Sequence, residues 1–401
     1  MEKMISASRV KKILAVIFLL TLTGMAGSLP INLDARPPVI GGSDPALVNA
    51  INEEIRRNFN NFQDLIPDEF QGIGIDEYPR NLIGSFATSS VFSSNGASLR
   101  GFQGYNTFAL TVGAMAGFQL PVNVFSMFNN LANIESELEK LLNDVTNSGD
   151  IQLGANLQVV NAQLGINTRF IKGLYLGVKG GYMKLPILNL DEFQASFQTW
   201  SIGGLINYQL IPQFRLLGGI IVWRGLNLGA GYIYQNTSMN VGVSGKSFIQ
   251  DNDATFPIPI EYGGTTGTIT GKIQNPKLEL GFNVNTYTVP LEVVTSFRFL
   301  GFLNASIGGG VDFGFGGASM GGSINADIDV YDFPAGLDLY RESKGSFSGS
   351  LGGLSPPNRV NPKIMASFGF SAGSVIVLDI PFTYYFQNNG YNIGVSFGVA
   401  F

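Results

Sequence analysis

Histidine and cysteine are both absent from this chain of 401 residues, and charge is scarce, with only 13% of positions being Asp, Glu, Lys or Arg. Each absence closes off a class of chemistry. Without histidine there is no base for a serine-nucleophile relay. Without either residue there is no Cys/His metal site. Without cysteine there is no disulfide, and no lipid-modified cysteine to anchor a mature amino terminus. The charged share is about half that of ordinary soluble domains. Long apolar runs are missing as well: beyond Thr23 no stretch approaches the roughly twenty residues of a membrane helix. The net charge of −5 argues against a nucleic-acid partner.

What is present is alternation. The final stretch, Tyr391 to Phe401, reads YNIGVSFGVAF. Its odd positions, from Tyr391 through Ile393, Val395, Phe397 and Val399 to Phe401, are large and apolar; its even positions are small or polar. Period two is the mark of a strand with two unlike faces. An apolar exterior with a polar interior is the pattern of a membrane-spanning β-barrel strand, lipid on one side and lumen on the other. That architecture reconciles low charge with the lack of apolar helices.

The same reading divides the chain. Residues 1–26 form a secretory signal: Arg9, Lys11 and Lys12, then the apolar run Ile13–Thr23, then Gly24-Met25-Ala26 as cleavage site. Residues 27–106 read as a helical plug or periplasmic segment. Asp44-Pro45 is a cap followed by a first-turn proline. Val48, Ile51, Ile55, Phe59 and Phe62 form an apolar stripe, and Pro67 ends it. The stripe suits either a plug in the barrel mouth or a small periplasmic cap. Residues 107–401 read as the barrel. Its first strand starts near Thr107 with Phe108, Leu110 and Val112 on one face, and a second amphipathic helix interrupts at about 122–145, as a lid or a folded loop. Tight turns are expected near Gly173, Pro212, Trp223-Arg224-Gly225, Gly301 and Asn388-Asn389-Gly390, and long loops at 244–276 and 333–360. At about twenty residues per strand and connection, the barrel holds about fourteen antiparallel strands. The predicted fold is therefore all-β, a transmembrane barrel of the bacterial outer membrane with an amino-terminal helical plug.

Motifs of enzymes fail on inspection. Gly317-Ala318-Ser319-Met320-Gly321 matches a nucleophile elbow by letter but has no histidine to serve it. Gly245-Lys246-Ser247 lacks the leading glycine of a phosphate loop, with Asn240 in its place. Asp251 with Asp253, and Asp327 with Asp329, read as solvated loop or lumen acids rather than a calcium site. No catalytic residue, metal or cofactor is expected. The lumen face instead supplies the candidates: Arg215, Glu292, Arg298 and Asp379, beside Lys179, Asp312 and Lys363. Glu292 and Arg298 are expected to pair, because an isolated charge inside a barrel is costly. Pro381, within a regular strand, marks a bulge or kink, read either as a lateral opening in the wall or as a strand end with a tolerated proline. Phe59 and Phe62 are candidate gate residues on the plug stripe.

Signal peptide, helical amino-terminal segment, about fourteen strands and an aromatic carboxy terminus together resemble the FadL-type outer-membrane transporters of long-chain fatty acids. The low charge and phenylalanine-rich strands are similar to spirochaete outer-membrane proteins assigned to that family. The resemblance covers the architecture of the mature chain and rests on no motif, so no ligand-binding residue carries over from it. It implies passive passage of a small hydrophobic, fatty-acid-like compound, with outer-membrane lipid around the barrel. The terminal strand ending at Phe401 resembles the signal that the barrel-insertion machinery reads. A general diffusion porin and a surface adhesin or structural barrel remain the alternatives.

Overall fold

The computed structural model describes residues 32–57, 78–94, 105, 107–119, 154–168, 170–190, 193–244, 254–262, 265–333, 338–372, 375–387 and 389–401. The predicted helix at 122–145 and the gate candidates Phe59 and Phe62 lie outside them.

From the amino end come β1 (Asn32–Arg36), β2 (Val39–Gly42), helix α1 (45–57) and helix α2 (Tyr78–Ser94). The strands β3 (Phe108–Gln119), β4 (Gly154–Asn167), β5 (Leu174–Leu190), β6 (Phe193–Ile211), β7 (Phe214–Leu216) and β8 (Ile221–Ser244) follow. Next are β9 (Ala254–Tyr262), β10 (Thr265–Phe299), β11 (Leu303–Tyr331), β12 (Leu339–Ser343) and β13 (Gly345–Ser355). The chain closes with β14 (Val360–Ala372), β15 (Ile376–Tyr385) and β16 (Gly390–Ala400).

Among the described residues, ten strands close a ring: β3, β4, β5, β6, β8, β10, β11, β14, β15 and β16, with β16 returning to β3 through Tyr391↔Phe118 and Val399↔Leu110. All neighbours are antiparallel, so every internal edge is paired, as strands in lipid require. The sheet as a whole has fourteen strands, but β1, β7, β9 and β13 hang from its rim and do not enter the ring. The expected count of about fourteen barrel strands is thus corrected to ten. The surplus came from splitting long strands. β10 and β11 pair without interruption from Thr270↔Tyr331 to Phe299↔Leu303 apart from one shift at Gln274/Lys277, and carry the hairpin far past the barrel. The expected long loop at 244–276 is largely β9 and the start of β10; that at 333–360 holds β12 and β13. The turn expected at Trp223-Arg224-Gly225 is a bulge inside β8, where Gly225 takes φ +87° and the register against β10 shifts. The turns at Gly173, Gly301 and Asn389 are observed, all at positive φ.

The exterior carries an apolar band between two aromatic levels. Leu110, Val112, Val178, Ile202, Ile393 and Phe397 are exposed within it. Toward the long loops Trp200 meets Tyr234 at 5.1 Å, Tyr234 meets Tyr287 at 5.1 Å and Tyr384 meets Tyr391 at 5.3 Å. Toward the short turns Phe214 meets Trp223 at 4.9 Å and Phe302 meets Phe370 at 5.4 Å, and Phe108 meets Phe401 at 5.0 Å. From Tyr391 to Phe401 a strand covers roughly 33 Å, about 25 Å of height at the usual tilt. That matches the hydrocarbon thickness of an outer membrane. No helix among the described residues is long and apolar enough to cross a membrane.

Past the upper aromatic level stands a separate body with its own core. Leu47, Ile51 and Ile55 of α1 pack with Ile40 of β2, Ile269 of β10, and Ile328 and Val330 of β11. Asp44 caps α1, its Oδ1 accepting from the N–H groups of Ala46 (2.9 Å) and Leu47 (3.3 Å). Asn52 exchanges two hydrogen bonds of 2.9 Å with the backbone of Ile40. The capped amphipathic helix predicted from Asp44-Pro45 is therefore present. It lies at the long-loop end on the β10–β11 hairpin, where the sequence reading had allowed for a plug or a periplasmic cap.

Candidate functional site

The helix inside the ring is α2, which the sequence reading missed. It contacts β3, β4, β8, β10, β11, β13 and β16, strands from opposite sides of the barrel. Its sequence, YPRNLIGSFATSSVFSS, carries no charge after Arg80 and no apolar stripe. An enclosed helix needs neither. Its hydroxyls bond back to its own carbonyls: Thr88 Oγ1 to Gly84 O (2.8 Å), Ser89 Oγ to Phe86 O (2.9 Å) and Ser93 Oγ to Ser90 O (3.1 Å). Small residues bring the helix close to the wall. A Cβ on Gly117 would collide with the backbone of Ser93, and one on Gly390 with the ring of Phe92. The only legible signal was negative: a run rich in Ser and Thr with no charge after Arg80.

Three layers hold α2. Nearest the long loops, Leu82, Ile83 and Ala87 pack on Leu278, Leu280 and Phe282 of β10 and on Ala318 and Met320 of β11. Below them lies a polar layer. Ser90 Oγ and Thr286 Oγ1 are 3.0 Å apart, Gln235 Nε2 donates to Ser93 Oγ (3.0 Å), and Gln158 Nε2 donates to Gln235 Oε1 (2.8 Å). At the carboxy end of α2, Phe92 stacks on Tyr385 at 3.9 Å between centroids, and Asn392 Nδ2 donates to Phe92 O at 2.5 Å.

Tyr385 ties this contact to a buried charge cluster. Its hydroxyl donates to Asp312 Oδ2 at 2.9 Å. Lys363 Nζ lies 2.6 Å from Asp312 Oδ1 and 2.6 Å from Glu292 Oε1, with all three side chains almost wholly buried. One cation between two carboxylates, on β10, β11 and β14, ties three neighbouring strands together. Glu292 is thus paired with Lys363; the expected Glu292–Arg298 pair is not formed. Arg298 is half-buried near the short turns and donates through Nε to Asn304 Oδ1 at 3.4 Å. Arg215, expected in the lumen, is exposed on β7 at the short-turn end. Asp379 is buried on the lumen side of β15, as is Lys179 on β5. Pro381 pairs with Ser367 of β14 in an unshifted register, while on its other side the ladder to β16 skips Ile380 and Pro381 between Asp379↔Ser396 and Phe382↔Ile393. Asp327 accepts from Asn275 Nδ2 (3.3 Å), and Ser319 sits in regular β11 and donates to Asn283 O (3.3 Å).

The break in the wall lies elsewhere. The flank of β11 is shared: β14 pairs with it up to Phe313↔Val360, and β13 only from Ala318↔Ser355. Between them Gly316 takes φ +97° and the chain crosses through Pro356-Pro357. A cavity of about 320 Å³ opens there, lined by Gly314, Phe315, Gly316, Pro356, Pro357 and Arg359. α2 backs it from inside: Asn358 N donates to Thr88 Oγ1 at 3.1 Å, and Val91 lies against Gly314. A notch in the wall and the helix in the lumen are therefore joined.

A closed antiparallel ring with a lipid-facing band and a polar interior defines an outer-membrane β-barrel protein. The profile of the Lsa36-like proteins matches residues 34–401, and the chain belongs to that family. No curated protein matches the sequence. Among solved structures, it is similar to the transport unit of the autotransporter AIDA-I from Escherichia coli, with 9% identity, a TM-score of 0.30, and coverage of 80% of this chain and 99% of that one. The translocator domain of the autotransporter NalP from Neisseria meningitidis gives 7% identity and a TM-score of 0.27, over 77% and 90%. The Ralstonia pickettii toluene transporter TbuX gives 9% identity and a TM-score of 0.25, over 80% and 99%. Likenesses this distant assign neither a strand count nor a cargo.

Proposed function

We propose that the protein is an outer-membrane channel for small hydrophobic compounds, held shut by α2, with the wall notch as its side door. The observation that carries this reading is the notch cavity, about 320 Å³, walled by two glycines, two prolines and Phe315 with Arg359 at its edge, and backed by the lumen helix. Its volume is at the lower end of small-molecule pockets, which suits a compact apolar ligand, or one end of a fatty acid, better than a whole long chain. The compound partitions into the notch, α2 withdraws from Gly314 and Asn358, and the two sides of the wall are connected through the lumen. No energy source is needed, since passage follows the concentration gradient. An open diffusion porin is disfavoured because α2 occupies the ring.

The cysteine-free chain permits a direct test. Thr88→Cys with Asn358→Cys would lock α2 to the notch. Uptake of a small aromatic hydrocarbon and of a long-chain fatty acid into proteoliposomes would then be compared, oxidised and reduced. The reading expects loss of uptake on oxidation and recovery on reduction. Uptake indifferent to the lock, or no uptake by the folded unsubstituted barrel, would sink it.

A second reading rests on the body built by α1, β1, β2, β9, β12, β13 and the far half of the β10–β11 hairpin. Long loops face outward in such barrels, which puts this body on the cell surface, where it suits an adhesin or structural role. Binding of cells or matrix to the intact barrel, lost when 32–57 is removed while uptake persists, would favour it.

A further inference from the structure

The short-turn end combines two features that rarely meet on an aqueous rim. Its turn tips are apolar and exposed: Phe170 is 100% exposed, Leu217 72%, Leu300 61% and Ile220 56%. Its exposed charges are basic. Lys172 and Arg215 are both exposed, and neither makes an ion pair among the described residues. The sequence holds no Asp or Glu in 151–190, 193–250, 293–311 or 343–378, the stretches that carry the four short turns. In a chain of net charge −5, no described acid is exposed at these turns. Asp379 lies on β15 close to this end but is buried toward the lumen.

The rim is also a continuous structure. Gln209 N donates to Gly173 O (2.7 Å), Leu300 N to Ile220 O (2.7 Å), Ser371 N to Phe302 O (2.6 Å) and Ala400 N to Val375 O (2.8 Å). These bonds join each turn to its neighbour around the barrel. The tips continue the lipid-facing band directly, since Leu217 and Ile220 follow β7, whose Phe214 meets Trp223 in the lower aromatic level. An exposed apolar surface rimmed by charge marks a partner. Continuity with the lipid belt favours lipid over an acidic protein.

We propose that this rim seats anionic phospholipids of the leaflet on the short-turn side. The turn tips enter the boundary between headgroups and acyl chains, and Lys172 and Arg215 bind the lipid phosphates. A zwitterionic headgroup presents the same phosphate with its own ammonium beside it, so a net negative headgroup is preferred. The inference needs the barrel and not the channel reading.

The chain has two tryptophans, one at each aromatic level. Trp200→Phe leaves Trp223, fixed beside the rim by a 2.7 Å bond from Nε1 to Thr295 Oγ1. Trp223→Phe leaves Trp200 at the opposite level as control. Each variant would be refolded into phosphatidylcholine vesicles holding equal fractions of brominated phosphatidylglycerol or brominated phosphatidylcholine, with folding checked by heat-modifiable mobility. Quenching of Trp223 should favour the anionic lipid by about five-fold per basic side chain. The preference should vanish with Lys172→Gln plus Arg215→Gln, fade in about 0.5 M salt, and be absent at Trp200. Equal quenching of Trp223 by both lipids would overturn the proposal and leave an acidic protein as the occupant. A preference that survives the double substitution, or that appears equally at Trp200, would overturn it too. Should the double variant fail to fold, the salt arm decides: a preference unmoved by salt is not one of charge.

Discussion

α1 and α2 lie in the same amino-terminal segment and follow opposite rules. α1 is capped, amphipathic and charged on its free side, and it lies on an exposed sheet beyond the membrane. α2 carries no charge after Arg80, is rich in serine and threonine, and is enclosed by the barrel. Amphipathicity records a boundary between core and water. α1 has such a boundary and shows it. α2 has wall on every side, so its sequence must supply small size and self-satisfied hydroxyls instead. A strong stripe therefore identifies a helix without saying on which side of the barrel wall it lies.

The contrast can be broken most severely at α2. Replacing Tyr78–Ser94 by a flexible glycine-serine segment of equal length should turn a closed barrel into one with steady conductance in planar bilayers. A barrel that stays shut would show that other chain fills the ring. Next in size is the charge cluster under the helix. Lys363→Met leaves Glu292 and Asp312 buried without their cation, a loss of about 3–5 kcal/mol; the temperature at which the folded band disappears in gel-shift assays should fall steeply. In the outer body, Ile55→Ala removes a fully buried side chain from the α1 core and should cost about 2–5 kcal/mol locally. Protease should then release the α1 region while the barrel keeps its heat-modifiable mobility. Loss of both together would mean that the two regions are one cooperative unit. Asp44→Ala, which deletes the cap of α1, should have the same effect at about 1 kcal/mol.

The smallest expected effect is one of pH, in the outer body alone. Burial raises the affinity of the Asp329 carboxyl for its proton. The bonds from Arg341 and from Val330 N–H, with Lys344 3.7 Å away, outweigh it and hold the group below its usual 3.8. Because the folded value is the lower one, the stabilisation is complete above the unfolded value and is lost as pH falls through the folded one. Acid below about pH 4 should therefore loosen β12 from β11 without touching the barrel, and Arg341→Met should flatten that dependence; hydrogen exchange along β11 reads both.

Much of the barrel was legible. Alternation in β3 and β16 assigned the correct face to lipid, because one period places a side chain on one of two sides. It failed where strands leave the membrane. Past Tyr287 and Phe315 the outward positions of β10 and β11 become Asn, Ser and Gly, such as Asn285, Asn283, Gly317 and Ser319. The pattern then reads as loop although the hydrogen bonds continue. Lys179, Glu292, Asp312, Lys363 and Asp379 are buried as their face implied, Arg215 is not, and the pairing was not legible. Glu292 and Arg298 share a strand and so were matched to each other, while Lys363, distant in sequence, stands beside Glu292 only once β11 and β14 are in register.

The sequence by itself determined that this chain spans an outer membrane with strands, which residues face lipid, where α1 begins, and that no histidine or cysteine chemistry takes place. Those properties depend on composition and on neighbours two to four residues apart. Tertiary structure alone decided that ten strands close, that α2 occupies the lumen, that Lys363 holds two acids, and that the wall parts at Gly316 and Pro356. Each of these depends on register between segments far apart in the chain, and register is fixed only when the ring closes and the interior must be filled.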